Sequence, residues 1–179
     1  MADNDDGSAA ADNSQTETYS RQAYQYSEST IVASTNKWYS FPLYALPPIL
    51  GAGMMWKYLR NQAESSSDPY TNITQSANFA QTKRIGNCGE YASLAVTNLV
   101  QQGLSGVYFM QLTQGDHAWV MFSPSYALDV TRIEAWEKET NSGDIWLIDG
   151  WRNCCSAFDL APFVNQYGSD GQIGVYWNN

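Results

Sequence analysis

The clearest hydrophobic periodicity in the chain begins just after residue 88. Tyr91, Ala92, Ala95, Val96, Leu99 and Val100 recur at three- and four-residue spacing, and Gly103 follows as a stop. That pattern predicts a helix with one buried face. Downstream the pattern changes to short strand-like runs over residues 107–112, 117–122, 126–130, 144–149 and 171–177. The turn residues Thr113, Gln114, Gly115 and Asp116 join the first two runs into a hairpin. Residues 132–140 read as a short helix or a connecting loop, and residues 74–83 as a short helix. One central helix ahead of a mostly antiparallel sheet makes an α+β domain.

Upstream of that domain the pattern fades. Residues 1–29 are rich in Ala, Asn, Asp, Ser, Gln and Thr. Such a segment offers too little apolar surface to offset its ordering entropy and is expected to be a disordered acidic tail. Residues 30–62 are dense in aromatic and aliphatic side chains, among them Trp38, Tyr39, Phe41 and Tyr44, but Pro42, Pro47 and Pro48 interrupt them. They read as an arm or subdomain packed on the core, with a substrate-docking or membrane-contacting surface as the alternative. Ser65, Ser66, Ser67, Asp68 and Pro69 mark a loop within a linker over 63–72. The catalytic core is placed at 63–179.

Composition narrows the function. The 179 residues suffice for one domain with a core. A net charge of −9 leaves no basic stripe for phosphates and argues against nucleic-acid binding. No run approaches the roughly 18–20 apolar residues a spanning helix needs, which argues against membrane contact. The N-terminus lacks a basic region followed by an apolar one, so no signal peptide is read. Three cysteines, Cys88, Cys154 and Cys155, make an odd set with two adjacent, which is no disulfide framework; reduced thiols are expected. No metal and no cofactor is expected, since one histidine and a vicinal cysteine pair do not make a zinc ligand set.

Against that background one stretch stands out, Gly86-Asn87-Cys88-Gly89-Glu90. It delivers a thiol to a helix N-terminus, where unpaired N–H groups and the helix dipole favour a thiolate. A cysteine nucleophile also needs a base, and the base an orienting acceptor. His117 is the chain's single histidine and opens a predicted strand. Two aspartates compete as orienter. Asp149, which ends a predicted strand that can neighbour the histidine strand, is favoured; Asp129, closer in sequence, is the alternative. The backbone N–H of Cys88 with Gln81, Asn87 or Asn78 would form the oxyanion hole. Trp119 and Trp151 could wall the site, though sheet packing explains them better. Asp116 is read as a turn residue and the Cys154–Cys155 pair as incidental.

The stretches Gly86-Asn87-Cys88-Gly89-Glu90-Tyr91-Ala92, Gly115-Asp116-His117-Ala118-Trp119-Val120 and Ile148-Asp149-Gly150-Trp151 together resemble the papain-like toxin and effector domains of bacteria. The nearest type is the deamidase domain of the Pasteurella dermonecrotic toxin family, within the transglutaminase-like superfamily. The resemblance spans residues 84–153, and Gly150 departs from it where the family has proline. It implies a papain-like core with Cys88 as nucleophile, His117 as base and Asp149 as orienter. It also implies an enzyme that deamidates or transglutaminates a protein glutamine in a host or competitor cell. Export without a classical signal peptide to the target-cell cytosol would follow, with an immunity protein or secretion chaperone as a further partner class. A cysteine protease or peptidoglycan amidase could use the same triad. A non-catalytic adaptor that binds a target-cell protein is the alternative of another class.

Overall fold

The computed structural model describes residues 6–32, 34, 66–140 and 143–179. They form an α+β domain of five described helices around an antiparallel five-stranded sheet. In chain order these are α1 (Asp6–Thr30), α2 (Pro69–Lys83), α3 (Cys88–Gln101), β1 (Val107–Leu112), β2 (Ala118–Phe122), α4 (Ile133–Glu139), β3 (Trp146–Asp149), β4 (Cys154–Ala157), α5 (Leu160–Tyr167) and β5 (Ile173–Asn178). The sheet order is β4-β3-β2-β1-β5, so the predicted hairpin β1–β2 lies at its centre.

Strand alternation sorts the core into two layers. Val107, Phe109, Ala118, Val120, Phe122 and Ile148 face α3, whose Ala92, Ala95, Val96 and Leu99 fill the space between. Tyr108, Met110, Trp119, Met121 and Leu147 face the other way, onto Trp136 of α4 and Phe163 and Tyr167 of α5. The helix read from periodicity after residue 88 is thus the central element of one layer. Helix α2 packs beside it, and Ala77 and Ala80 meet Tyr91 and Leu94.

Several expectations need correcting. The segment expected to be disordered is mostly helix: α1 runs from Asp6 to Thr30 and packs on α3, β3 and β4. Its buried stripe is Thr16, Ser20, Ala23 and Ser27, spaced like one helix face. Small side chains let the helix approach closely, so contact rather than bulk holds it. Residues 66–68 are loop as the Ser/Asp/Pro signal predicts, but the linker read over 63–72 ends there, because a helix starts at Pro69. Asp68 accepts a hydrogen bond from the Thr71 N–H at 2.8 Å, and Pro69 occupies the first turn, where its missing N–H costs nothing. Residues 126–130 are not a strand: Ser123 Oγ donates to the Tyr126 carbonyl, and the Leu128 N–H donates to Tyr108 Oη, which spends those groups on turn contacts. Strand β4 and helix α5 were not anticipated. The aromatic-rich arm lies almost entirely outside the described residues. Among the described residues no helix is long and apolar enough to cross a membrane.

Candidate active site

The nucleophile turn is built by its neighbours. Asn87 is the N-cap of α3, and the buried Glu90 carboxylate accepts from the Asn87 N–H at 2.8 Å, closing a capping box. Gly86 must be glycine: a Cβ there would lie 2.6 Å from Glu90 Cβ and 2.9 Å from Ile31 Cδ1. Arg84, in the left-handed region at φ 57°, ends α2 and turns the chain toward Cys88. Its guanidinium donates to the Ser29 carbonyl, and its own carbonyl accepts from the Val32 N–H at 2.9 Å. The end of α1 is therefore tied to the turn that presents the thiol.

His117 and Asp149 meet through sheet register. Val120 pairs with Ile148 in the antiparallel β2–β3 ladder. One step further places Asp149 opposite Trp119, so Asp149 and His117 are diagonal neighbours on one face of the sheet. His117 Nε2 lies 2.7 Å from Asp149 Oδ2, and both side chains are buried. An ionised carboxylate only accepts, so this contact fixes the imidazole proton on Nε2 and leaves a lone pair on Nδ1. That Nδ1 is buried and has no hydrogen-bond partner among the described residues.

Cys88 approaches from the opposite layer, where α3 begins beneath the β1–β2 turn. Cys88 and His117 line one cleft of about 300 Å³, together with Asn72, Ser76, Asn87, Gln111 and Tyr176. The thiol donates to the Asp116 carbonyl at 3.7 Å. Burial pushes the Cys88 pKa up. The N–H groups of Ala118 and Gly89 oppose that rise, while the charges of Asp116 and Glu90 add to it. The net direction runs against the thiolate that a helix N-terminus alone would favour. Desolvation wins because one helix end and two N–H groups do not replace the water that burial removes.

The remaining predicted residues divide clearly. Asp149 is the carboxylate on His117. Asp129 is exposed in the loop after β2, where it accepts from the N–H and hydroxyl of Thr131 at 2.9 and 2.7 Å. Gln81 is exposed on α2 and donates to Tyr26 Oη of α1, so it does not reach the cleft. Asn78 is likewise exposed. Asn87 does line the cleft. Trp119 and Trp151 both touch the imidazole, with ring centroids 5.7 and 5.2 Å from it. Trp119 is also fully buried in the sheet core, so walling and packing are the same contact. The three cysteines are free, and Cys154 and Cys155 point to opposite faces of edge strand β4. Among the described residues no group of His, Cys, Asp and Glu could hold a metal ion.

The sequence reading missed Tyr167. Its hydroxyl donates to Asp149 Oδ2 at 2.8 Å, and the Arg152 N–H donates to Oδ1 at 3.0 Å. Leu160, Phe163, Val164 and Tyr167, after the N-cap Asp159 and before Gly168, carry a helical signal that would have found α5 but not its polar contact. The Gly150 departure has a steric cause. A Cβ at Gly150 would sit 2.5 Å from Tyr91 Cδ1 and 2.9 Å from Ser27 Oγ. No protein-family model matches this chain, and no curated protein or solved structure matches it either.

Proposed function

We propose that this protein is a cysteine-dependent amide hydrolase or acyltransferase that acts on a glutamine side chain of a protein. One observation carries this reading. Cys88 and His117 line a common cleft, while His117 holds Asp149 through Nε2 and keeps Nδ1 unpartnered. The chain order Cys, His, Asp, with the thiol at a helix start, His117 just ahead of β2 and Asp149 ending the adjacent β3, supports the papain-like, transglutaminase-like comparison made from the motifs.

In this reading the Cys88 proton passes to His117 Nδ1 as sulfur attacks the carboxamide carbon. The upward push that burial gives the Cys88 thiol suits a concerted transfer, in which no standing ion pair has to be maintained in a buried site. The oxyanion takes the Cys88 N–H, one of the first-turn groups an α-helix leaves unbonded, with the Asn87 amide as second donor. His117 then gives its proton to the departing ammonia, leaving a thioester on Cys88. Water or an amine attacks the thioester, loses a proton to His117, and the thiol is restored when that proton returns to sulfur.

The cleft chemistry supports a neutral amide substrate. Asn72, Ser76, Asn87, Ser93 and Gln111 offer uncharged donors and acceptors, and no Lys or Arg is among the lining residues. Hydrolysis turns the amide into a carboxylate that meets no cation among the described lining residues and shares the cleft with Asp116, which favours product release. By the motif resemblance, the setting is a bacterial effector acting in another cell. The test is expression in a target cell, followed by mass spectrometry of its proteome, with Cys88→Ala as control. A gain of about one dalton on a glutamine means deamidation, and an amine adduct or cross-link means transglutamination. A new peptide terminus means proteolysis and would overturn the glutamine assignment. Toxicity retained by Cys88→Ala would favour a binding protein.

A further inference from the structure

We infer that Tyr167 is a positioning residue for His117, acting through Asp149. This rests on the acyl-transfer reading for its purpose but not for its physics. Two donors share one carboxylate oxygen: His117 Nε2 at 2.7 Å and Tyr167 Oη at 2.8 Å from Asp149 Oδ2. The Arg152 N–H holds the other oxygen, so the carboxylate is fixed in plane and direction. The Tyr167 ring also stacks on the imidazole at 5.8 Å with an interplanar angle of 22°, and Trp119 tilts against it at 4.5 Å. One side chain thus supplies both a hydrogen bond to the orienter and part of the wall around the base.

The hydroxyl has one proton, and it is given to Asp149. Burial, then the Asp149 charge and hydrogen bond, push the Tyr167 pKa upward, so the group stays a donor throughout the range in which histidine titrates. A donor on Oδ2 draws charge from the carboxylate and makes it a weaker proton acceptor. The His117 proton therefore stays on Nε2 without crossing to Asp149. Nδ1 keeps its lone pair for the thiol proton. Around the pair stand Cys88 and Glu90 on α3, Asp116 in the β1–β2 turn, Arg152 after β3, Cys154 on β4 and Tyr24 on α1. The Arg152 guanidinium lies 4.8 Å from the Tyr167 ring centroid.

The chain has one histidine, which makes the test direct. The imidazole 15N resonances of the full-length protein belong to His117 alone and report tautomer and titration without a substrate. Tyr167→Phe keeps the ring and removes the donor. It should raise the His117 midpoint by about half a pH unit or more, because the freed Asp149 oxygen holds the imidazolium more strongly. Tyr108→Phe removes another buried hydroxyl, the acceptor for the Leu128 N–H, and should leave the midpoint unchanged. The pH profile of Cys88 alkylation by iodoacetamide is followed in parallel. An unshifted His117 midpoint in a folded Tyr167→Phe protein overturns the inference, as does an equal shift in Tyr108→Phe. The acyl-transfer reading fails separately, when alkylation of Cys88 ignores His117→Gln while Tyr167→Phe still moves the imidazole.

Discussion

His117 Nε2 and Asp149 Oδ2 lie 2.7 Å apart, with side chains only 5% and 1% exposed. A pair so far from water has no substitute partner when one member changes. Asp149→Asn should therefore lower His117-dependent turnover by about a hundredfold or more, since the imidazole loses its fixed tautomer. Asp129→Asn, in its exposed loop, should leave turnover within about twofold. Parallel kinetics on the two variants separate the two aspartates.

The buried Cys88 thiol makes a prediction about reactivity that the helix N-terminus alone would reverse. Alkylation of Cys88 in the absence of substrate should rise with pH through a midpoint above that of an ordinary cysteine. Asp116→Asn should move the midpoint down, because the Asp116 charge opposes the thiolate. Rates measured from pH 6 to 10, with Cys154 and Cys155 replaced by serine to isolate the site, would show the direction.

Cys155 gives a stability prediction. Burial holds its thiol up at about 12, with Arg21 pulling the other way. In the unfolded chain the same thiol ionises near ~8.5. Between those values the unfolded state has released the proton and the folded state has not, so stability must fall as pH rises across that window. The contribution is intact below the unfolded value and gone above the folded one. Chemical denaturation at pH 8 and pH 10 should show a smaller loss in Cys155→Ala than in the parent.

Gly150→Ala should cost about 1–3 kcal/mol, the range for forcing an extra methyl into a packed contact. The new Cβ meets Tyr91 and Ser27 at once, so α3 or α1 must shift. The denaturation midpoint measures it, and a neutral change would mean that this contact is looser than its distances imply.

Ala23→Glu tests whether α1 is structural. Ala23 is fully buried in the cluster that joins α1 to α3 and the sheet. A carboxylate there would be buried among apolar neighbours, and the cost should be on the order of 3 kcal/mol. Limited proteolysis should then cut within residues 6–30 while sparing the same region of the parent.

How far the sequence spoke depended on what each element buries. Helix α3 was legible because Ala92, Ala95, Val96 and Leu99 are apolar at helical spacing. Helix α1 was not, because its buried stripe is Thr16, Ser20, Ala23 and Ser27, which hydropathy counts as surface. The His117–Asp149 contact could be anticipated from two neighbouring strands. Its third partner could not, since Tyr167 arrives from a helix whose pattern signals only packing. The upward push on the Cys88 thiol could not be read from sequence, because burial is a tertiary quantity and a helix N-terminus carries no measure of lost water.

Ser27 of helix α1 lies against the Gly150 turn and Ile31, just past the helix end, against the Gly86 turn, so one segment props both the strand end that bears Asp149 and the loop that bears Cys88. It precedes Cys88 in the chain, yet the surfaces it rests on extend to β4, and the hydroxyl on Asp149 comes from residue 167. During synthesis Cys88 is made before much of what surrounds it. The constellation is complete only once α1 and the segments from β3 onward are packed together.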